Sequence, residues 1–491
     1  MLRQALWLTL TLALASPALA ATAPPKLSSK ANAALLNQAQ APLLLRFAQG
    51  VDFKALTSSK RGDDRLLAVV AALQSQAAHS QRSVRALLDR RGAQYQAYWV
   101  ANFIRVEADA ELARELAAHK DILAIELDQK LVLDAPVAVG SADAQKAIEP
   151  GVSLINAPGV WAMGFSGQGV IVAGQDTGYR WDHPALRDSY LGWNGSSVNH
   201  DYAWFDGIRG SGGSAGCAAA SPTPCDDNGH GTHTMGTVLG DDGAGNQVGV
   251  APGARWMACR NMDLGNGTPS TYAACFQFFL APTDVNGNNP DPLRAPHVIN
   301  NSWGCPPSEG CTDVNVLRDA VEAVKAAGIL VVASAGNSGS GCSTIVDPPA
   351  IYAASFVVGA SSGNSMASFS SRGPVTAAGA NPQKPDVVAP GSGVRSSTRD
   401  GAYGFMSGTS MAGPHVAGAA ALLMSVDPSL KRNPEAVEAL LRSSAVPISS
   451  SQTCGAVAPT TIPNFVFGHG RIDVQAAMRN GMGVLAINGF E

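Results

Sequence analysis

Apolar and polar positions follow two different rhythms along this chain, and the change falls near residue 150. In the first part a short apolar run at 43–47 predicts a strand. The stretch 64–91 then repeats apolar residues every three or four positions and predicts a long amphipathic helix. A strand over 98–106, a helix over 109–119 and a strand over 122–127 complete a small α+β unit between residues 21 and 134. Beyond Gly151 the strands shorten to nearly all-apolar runs at 169–173, 297–300 and 329–334, separated by helical stretches such as 314–327. Strands of that kind are buried on both faces, so residues 151–491 are expected to form an α/β domain, a mostly parallel sheet with helices on both sides. No solenoid repeat occurs, and the Gly/Ser-rich stretch 207–216 reads as a surface loop.

Composition sharpens the boundary. Residues 1–150 hold four of the 52 glycines and none of the eight cysteines, so loop-rich architecture begins only afterwards. Residues 135–150 are rich in small side chains and read as an exposed linker suited to processing. The downstream unit of about 340 residues is large enough to bury roughly three quarters of its unfolded surface. A net charge of -4, with 15% charged residues and no block of like charge, leaves no footprint for nucleic acid.

The first twenty residues read as a secretory leader. Arg3 supplies a positive start, residues 6–15 an apolar run, and Ala18-Leu19-Ala20 a small-residue cleavage site, with the cut expected after Ala20. The run is shorter than the ~20 residues that span a bilayer, so no membrane anchor is expected and the destination is extracellular or periplasmic. Eight cysteines, an even number, suit an oxidising compartment. Cys217 with Cys225 and Cys305 with Cys311 are near enough in sequence to staple loops, and Cys259 with Cys275 and Cys342 with Cys454 is the simplest pairing of the rest. No CxxC pair supports metal binding instead.

Three segments carry the chemistry. Asp176 lies in Gln-Asp-Thr-Gly at the end of a predicted strand, His230 in His-Gly-Thr-His, and Ser410 in Gly-Thr-Ser-Met-Ala-Gly at the start of a helix predicted over 411–424. Each alone is an ordinary turn, core or capping residue. Together they supply a nucleophile, a base to take its proton and a carboxylate to orient the base. His230 and His233 are three apart without an intervening Glu, unlike a zinc-protease helix. Ala412 stands where an esterase elbow needs glycine.

With the order Asp, His, Ser and these flanking residues, the chain resembles the subtilisin-like serine proteases. Asn300-Asn301-Ser302-Trp303-Gly304-Cys305 resembles their bacillopeptidase F-like members in particular, and further matches run through 370–374, 384–391 and 468–474. The resemblance implies that Asp176, His230 and Ser410 form the triad, with His233 structural, and that Asn337 donates to the oxyanion of acyl transfer. It implies a substrate cleft between Ser302, Trp303 and Gly304 on one wall and Ser334, Ala335 and Gly336 on the other, with Trp303 where many relatives carry Leu. Residues 102–128 resemble the second half of the inhibitory propeptides of the family, making residues 21–134 a propeptide that acts as an intramolecular inhibitor. No cofactor is implied for the chemistry; a structural calcium is implied at 241–247, where Gly243 replaces an Asn ligand of some relatives. The expected function is a secreted serine endopeptidase made as a zymogen and acting on protein or peptide substrates. A catalytically dead binding module would lack a triad or oxyanion residue, and none is missing; an esterolytic or acyl-transferring enzyme would be told apart by testing a protein against a simple ester.

Overall fold

The computed structural model describes residues 26–133, 137–141, 147–209, 213, 214, 216–304, 313–377, 383–458 and 460–488. The leader, Cys305 and Cys311 lie outside the described residues.

The N-terminal unit is a four-stranded antiparallel sheet in the order Tyr95–Tyr98, Phe103–Ala108, Ala41–Arg46, Ala124–Leu127. Side chains of the central strand alternate between two cores, as a period of two requires. Leu43 and Leu45 pack with Val84, Leu88 and Leu116 inside the unit, while Leu44 joins a cluster shared with the domain downstream. The structure departs from expectation in four places. A helix at Ser29–Asn37, capped by the Ser28 side chain, was not foreseen. The single helix expected over 64–91 is two, Gly62–Ser80 and Arg82–Arg91, because Gln81 is buried at the junction and its amide donates to Tyr98 O and Asn102 Oδ1. The strand expected over 98–106 is a hairpin that turns at residues 99–102, where Asn102 takes a positive φ of 45°. The stretch read as an exposed linker contains the strand Val137–Ser141, which pairs antiparallel with Tyr403–Ser407.

The downstream domain is built on a parallel sheet in the order Phe356–Ser362, Leu330–Ser334, Val298–Asn301, Ile171–Asp176, Arg255–Arg260, Trp204–Asp206, with Val387–Pro390 also parallel to Phe356–Ser362. Among the described residues only the short strand Ser365–Met366 runs antiparallel at the edge. Successive residues face opposite layers: Leu330 and Val332 pack toward helices His230–Leu239 and Thr409–Val426, Val331 and Ala333 toward Pro269–Leu280 and Arg318–Ala326. Helices therefore cover both faces, and the fold is α/β as expected. Cys217–Cys225, Cys259–Cys275 and Cys342–Cys454 are bridged. Among the described residues no helix is long and apolar enough to cross a membrane.

The two units share an interface. Leu66, Val69, Val70 and Leu73, one face of helix Gly62–Ser80, belong to the same apolar cluster as Ala320, Val324 and Phe276. Arg65 caps the far end of helix Arg318–Ala326 by donating to Ala326 O (2.6 Å) and Lys325 O (3.1 Å), and forms a forked pair with Glu435. Asp128 does the converse at a helix start, accepting from Ser270 N at 3.1 Å and Ser270 Oγ at 2.6 Å at the head of Pro269–Leu280.

Candidate active site

Asp176 ends its strand at the carboxyl edge of the sheet, where open α/β sheets place ligands. Its Oδ1 accepts from Thr177 N (2.8 Å) and lies 2.7 Å from His230 Nδ1, with both side chains buried. His230 is the first residue of helix His230–Leu239. The close approach depends on two glycines. A Cβ on Gly178, at φ 114°, would sit 1.9 Å from Cys225 O, and one on Gly231 would sit 2.1 Å from Gly178 O. Either substitution would push the carboxylate turn away from the histidine helix.

Asp226 locks that junction and was not singled out by sequence reasoning. Its carboxylate accepts from Thr177 Oγ1 (3.0 Å), Gly229 N (2.7 Å), Thr232 N (3.0 Å) and Thr232 Oγ1 (2.6 Å), joining the turn after Asp176 to the first turn of the histidine helix. The available signal was an acidic residue just ahead of a helix start. As a positioning residue it has a testable effect. Asp226→Ala is expected to lower kcat on the order of 10²-fold with a smaller change in KM, and Asp226→Asn to recover part of it by keeping an acceptor oxygen. Equal activity of all three proteins in steady-state assays would remove the assigned role.

Ser410 is the second residue of helix Thr409–Val426 and is 3% exposed. Its Oγ donates to Ser302 O (3.1 Å), and His230 Nε2 makes no hydrogen bond among the described residues. The Asp176–His230 link is thus formed and a His230–Ser410 link is not; hydrogen bonds of this kind often close only when substrate is bound. Asn337 Oδ1 accepts from Thr409 N (2.8 Å) and Thr409 Oγ1 (2.9 Å), an arrangement that leaves its Nδ2 as the donor toward the cleft it lines with Ser410.

One cleft gathers most of the residues named for its walls. Ser302, Trp303 and Gly304 face Ser334, Gly336 and Asn337 around Ser410. Trp303 is stacked on Tyr272, ring centroids 3.9 Å apart. Ala335 is different: it is 1% exposed, its N–H donates to Val358 O, and it backs the cleft from the core instead of lining it. Asp347 contributes to the lining and was missed, since nothing around it in sequence carries a motif. Leu133 also reaches the cleft: Leu131–Val132 pairs antiparallel with Asn266–Gly267, and Leu133 N donates to Gly265 O at 2.7 Å. The tail of the N-terminal unit therefore extends a ribbon of the downstream domain as an added strand and brings Leu133 to the cleft that Ser410 also lines.

His233 takes a different place from its neighbour. Its Nε2 lies 3.1 Å from Val394 O and 3.2 Å from Gly404 O, and burial, with His230 close by, lowers its pKa to about 3. At neutral pH it is an uncharged donor that ties the histidine helix to the Val394–Ser397 and Tyr403–Ser407 hairpin.

The loop 241–247 does not fit a calcium ion. Asp241 Oδ1 accepts from Gly243 N, and Asp242 Oδ1 from Ala244 N and Asn246 N. Asp242 Oδ2 accepts from Asn246 Nδ2 and Tyr403 OH, and Asn246 Oδ1 accepts from Arg395 Nη2. The oxygens a cation would need are already turned toward internal donors, one of them a guanidinium.

A parallel sheet covered on both faces, with an aspartate bound to a histidine at one helix start and a serine at the start of a second helix packed against the first, has the architecture of a subtilisin-like hydrolase. The chain belongs to the subtilase family, whose description matches residues 167–470, and is a subtilisin-like serine protease. It is 36% identical over 455 residues to bacillopeptidase F of Bacillus subtilis, which covers 88% of this chain and 30% of that protein. The chain thus spans less than a third of that relative's length. It is 33% identical over 336 residues to a subtilisin of Bacillus pumilus, covering 68% of this chain and 99% of that one, and 34% identical over 334 residues to an alkaline protease of Shouchella clausii, covering 66% and 74%.

Proposed function

We propose that the chain is the precursor of an exported serine endopeptidase whose N-terminal unit inhibits it until cut away. The observation that carries this reading is the buried 2.7 Å contact of Asp176 with His230, which starts a helix packed against the one whose first turn holds Ser410, together with a cleft that Ser410 shares with the chain's own Leu133. His230, held in one tautomer by Asp176, removes the proton of Ser410 as Oγ attacks the peptide carbonyl. The oxyanion that forms is met by Asn337 Nδ2, a donor that counts only as charge develops. His230 then protonates the leaving amine, and water admitted to the cleft hydrolyses the acyl-enzyme by the same path in reverse. No cofactor takes part in these steps.

Leu131–Val132 add to Asn266–Gly267 by β-augmentation and Leu133 lines the cleft, an arrangement that supports reading this tail as a stand-in for an extended peptide substrate. The bond cut in maturation therefore follows shortly after Leu133, in the region 135–150 expected from its composition, and the leader ahead of residue 21 directs export. The purified fragment 21–133 is expected to inhibit the mature enzyme when added back. Removing residues 131–133 from it is expected to weaken inhibition by at least about tenfold, since the added strand supplies the cleft contacts. A fragment with no effect on peptide hydrolysis, with or without its tail, would show that the N-terminal unit is not an inhibitor.

A further inference from the structure

We infer that the guanidinium of Arg395 is a built-in cation that holds the 241–247 loop in place of a divalent ion, making this part of the fold independent of calcium. Arg395 is 2% exposed, and its charge meets oxygens from two distant segments: Nη1 donates to Glu149 Oε1 at 2.8 Å and Nη2 to Asn246 Oδ1 at 2.8 Å. Its Cζ lies 4.5 Å from the ring centroid of Tyr403, whose hydroxyl donates to Asp242 Oδ2 at 2.9 Å. Glu149 is joined to the loop a second time, since its N–H donates to Gln247 O. A buried carboxylate, a carboxamide oxygen and an aromatic face converging on one point form a cation site, and the cation there is covalently part of the chain.

The planar fork explains why arginine suits the place. Two donors leave the guanidinium in fixed directions toward Glu149 and Asn246 while its face stacks on Tyr403, a geometry a lysine ammonium cannot copy. The same residue sits on the strand that braces the histidine helix: Ser396 Oγ donates to His233 O and Ser397 Oγ to Thr232 O, each at 2.8 Å. A bound ion at such a point is lost when its free concentration falls below its dissociation constant. Arg395 cannot be removed by a chelator, so the support under His230 persists where calcium is scarce.

The test uses the full-length chain carrying Ser410→Ala, to prevent self-digestion, and follows thermal unfolding together with hydrogen exchange of residues 239–249. Between EGTA and millimolar calcium chloride, no change in exchange of that segment is expected. Arg395→Gln should lower Tm by on the order of 5–10 °C, because it leaves Glu149 buried without its cation, and should raise exchange in the segment. Arg395→Lys, which keeps the charge but loses the fork, should fall between the two. A rise in exchange of 239–249 on chelation alone would overturn the inference, as would an Arg395→Gln protein with unchanged Tm and exchange. If Arg395→Gln does not fold, the chelation arm and Arg395→Lys still decide: lysine matching wild type would show that the fork has no role.

Discussion

Replacing Ser410 with alanine is expected to abolish labelling by a fluorophosphonate probe and to leave the chain at its uncut length. The two effects have one cause in the proposed reading, since the hydroxyl that attacks substrates also attacks the chain's own tail. The substitution is gentle to the fold. It removes one hydrogen bond, from Oγ to Ser302 O, at a residue whose Cβ stays in place, a cost on the order of 1 kcal/mol. Loss of labelling with an unchanged melting curve would therefore report chemistry, not unfolding. Mass spectrometry of the purified precursor, kept free of other proteases, measures the second effect. A Ser410→Ala chain that is still labelled, or still cut between residues 131 and 151 on its own, would sink the assignment of nucleophile and of self-processing respectively.

In the proposed reading the same substitution also keeps the full-length chain intact, so that its interface can be examined. Helix Gly62–Ser80 shares an apolar cluster with the downstream domain, and Arg65 and Asp128 satisfy backbone groups at the ends of two of that domain's helices. Those helix ends would otherwise depend on water. The N-terminal unit thus completes the secondary structure of the domain it covers, in addition to presenting its tail to the cleft.

Much of this architecture is legible in the chain because burial on two faces imposes a recognisable pattern. Runs such as Leu330–Ser334 are wholly buried, so, bounded by Gly328 and Gly336 and separated by helices, they read as parallel strands. Asp176, His230 and Ser410 stand out for another reason, the small residues around them. Gly178 and Gly231 are needed where backbone segments nearly touch, and that need leaves a motif in the sequence. What was not legible depends on partners far away in the chain. The helix break at Gln81 is set by acceptors on residues 98 and 102, and the strand Val137–Ser141 by an edge more than 260 residues downstream, its residue 141 lying opposite 404. Arg395 in Val-Arg-Ser-Ser looks like any charged residue beside a strand until Glu149 and Asn246 are brought to it. Asp226 carries a helix-start signal but not the fact that its other oxygen contacts reach Thr177.

The two histidines of His-Gly-Thr-His offer the second large test. His230→Ala removes the proposed base, and turnover is expected to fall by about 10²–10⁴-fold or more, with the protein still folded. His233→Ala should do the reverse, keeping most of the turnover while losing stability, because it deletes the donor shared by Val394 O and Gly404 O behind the histidine helix. A pH measurement separates them further. Burial holds His233 at a pKa of about 3 in the folded protein, against about 6.5 in an unfolded chain. Between those values the unfolded state binds a proton that the folded state refuses, so this residue's contribution to stability is complete above about pH 6.5 and is lost progressively as pH falls. Melting temperatures followed from pH 7 down to about pH 4.5 should therefore decline less steeply in His233→Ala than in the parent, although its plateau is lower. If His233→Ala proves inactive and His230→Ala active, or if acid sensitivity is unchanged in His233→Ala, the base and the buried brace have been assigned the wrong way round.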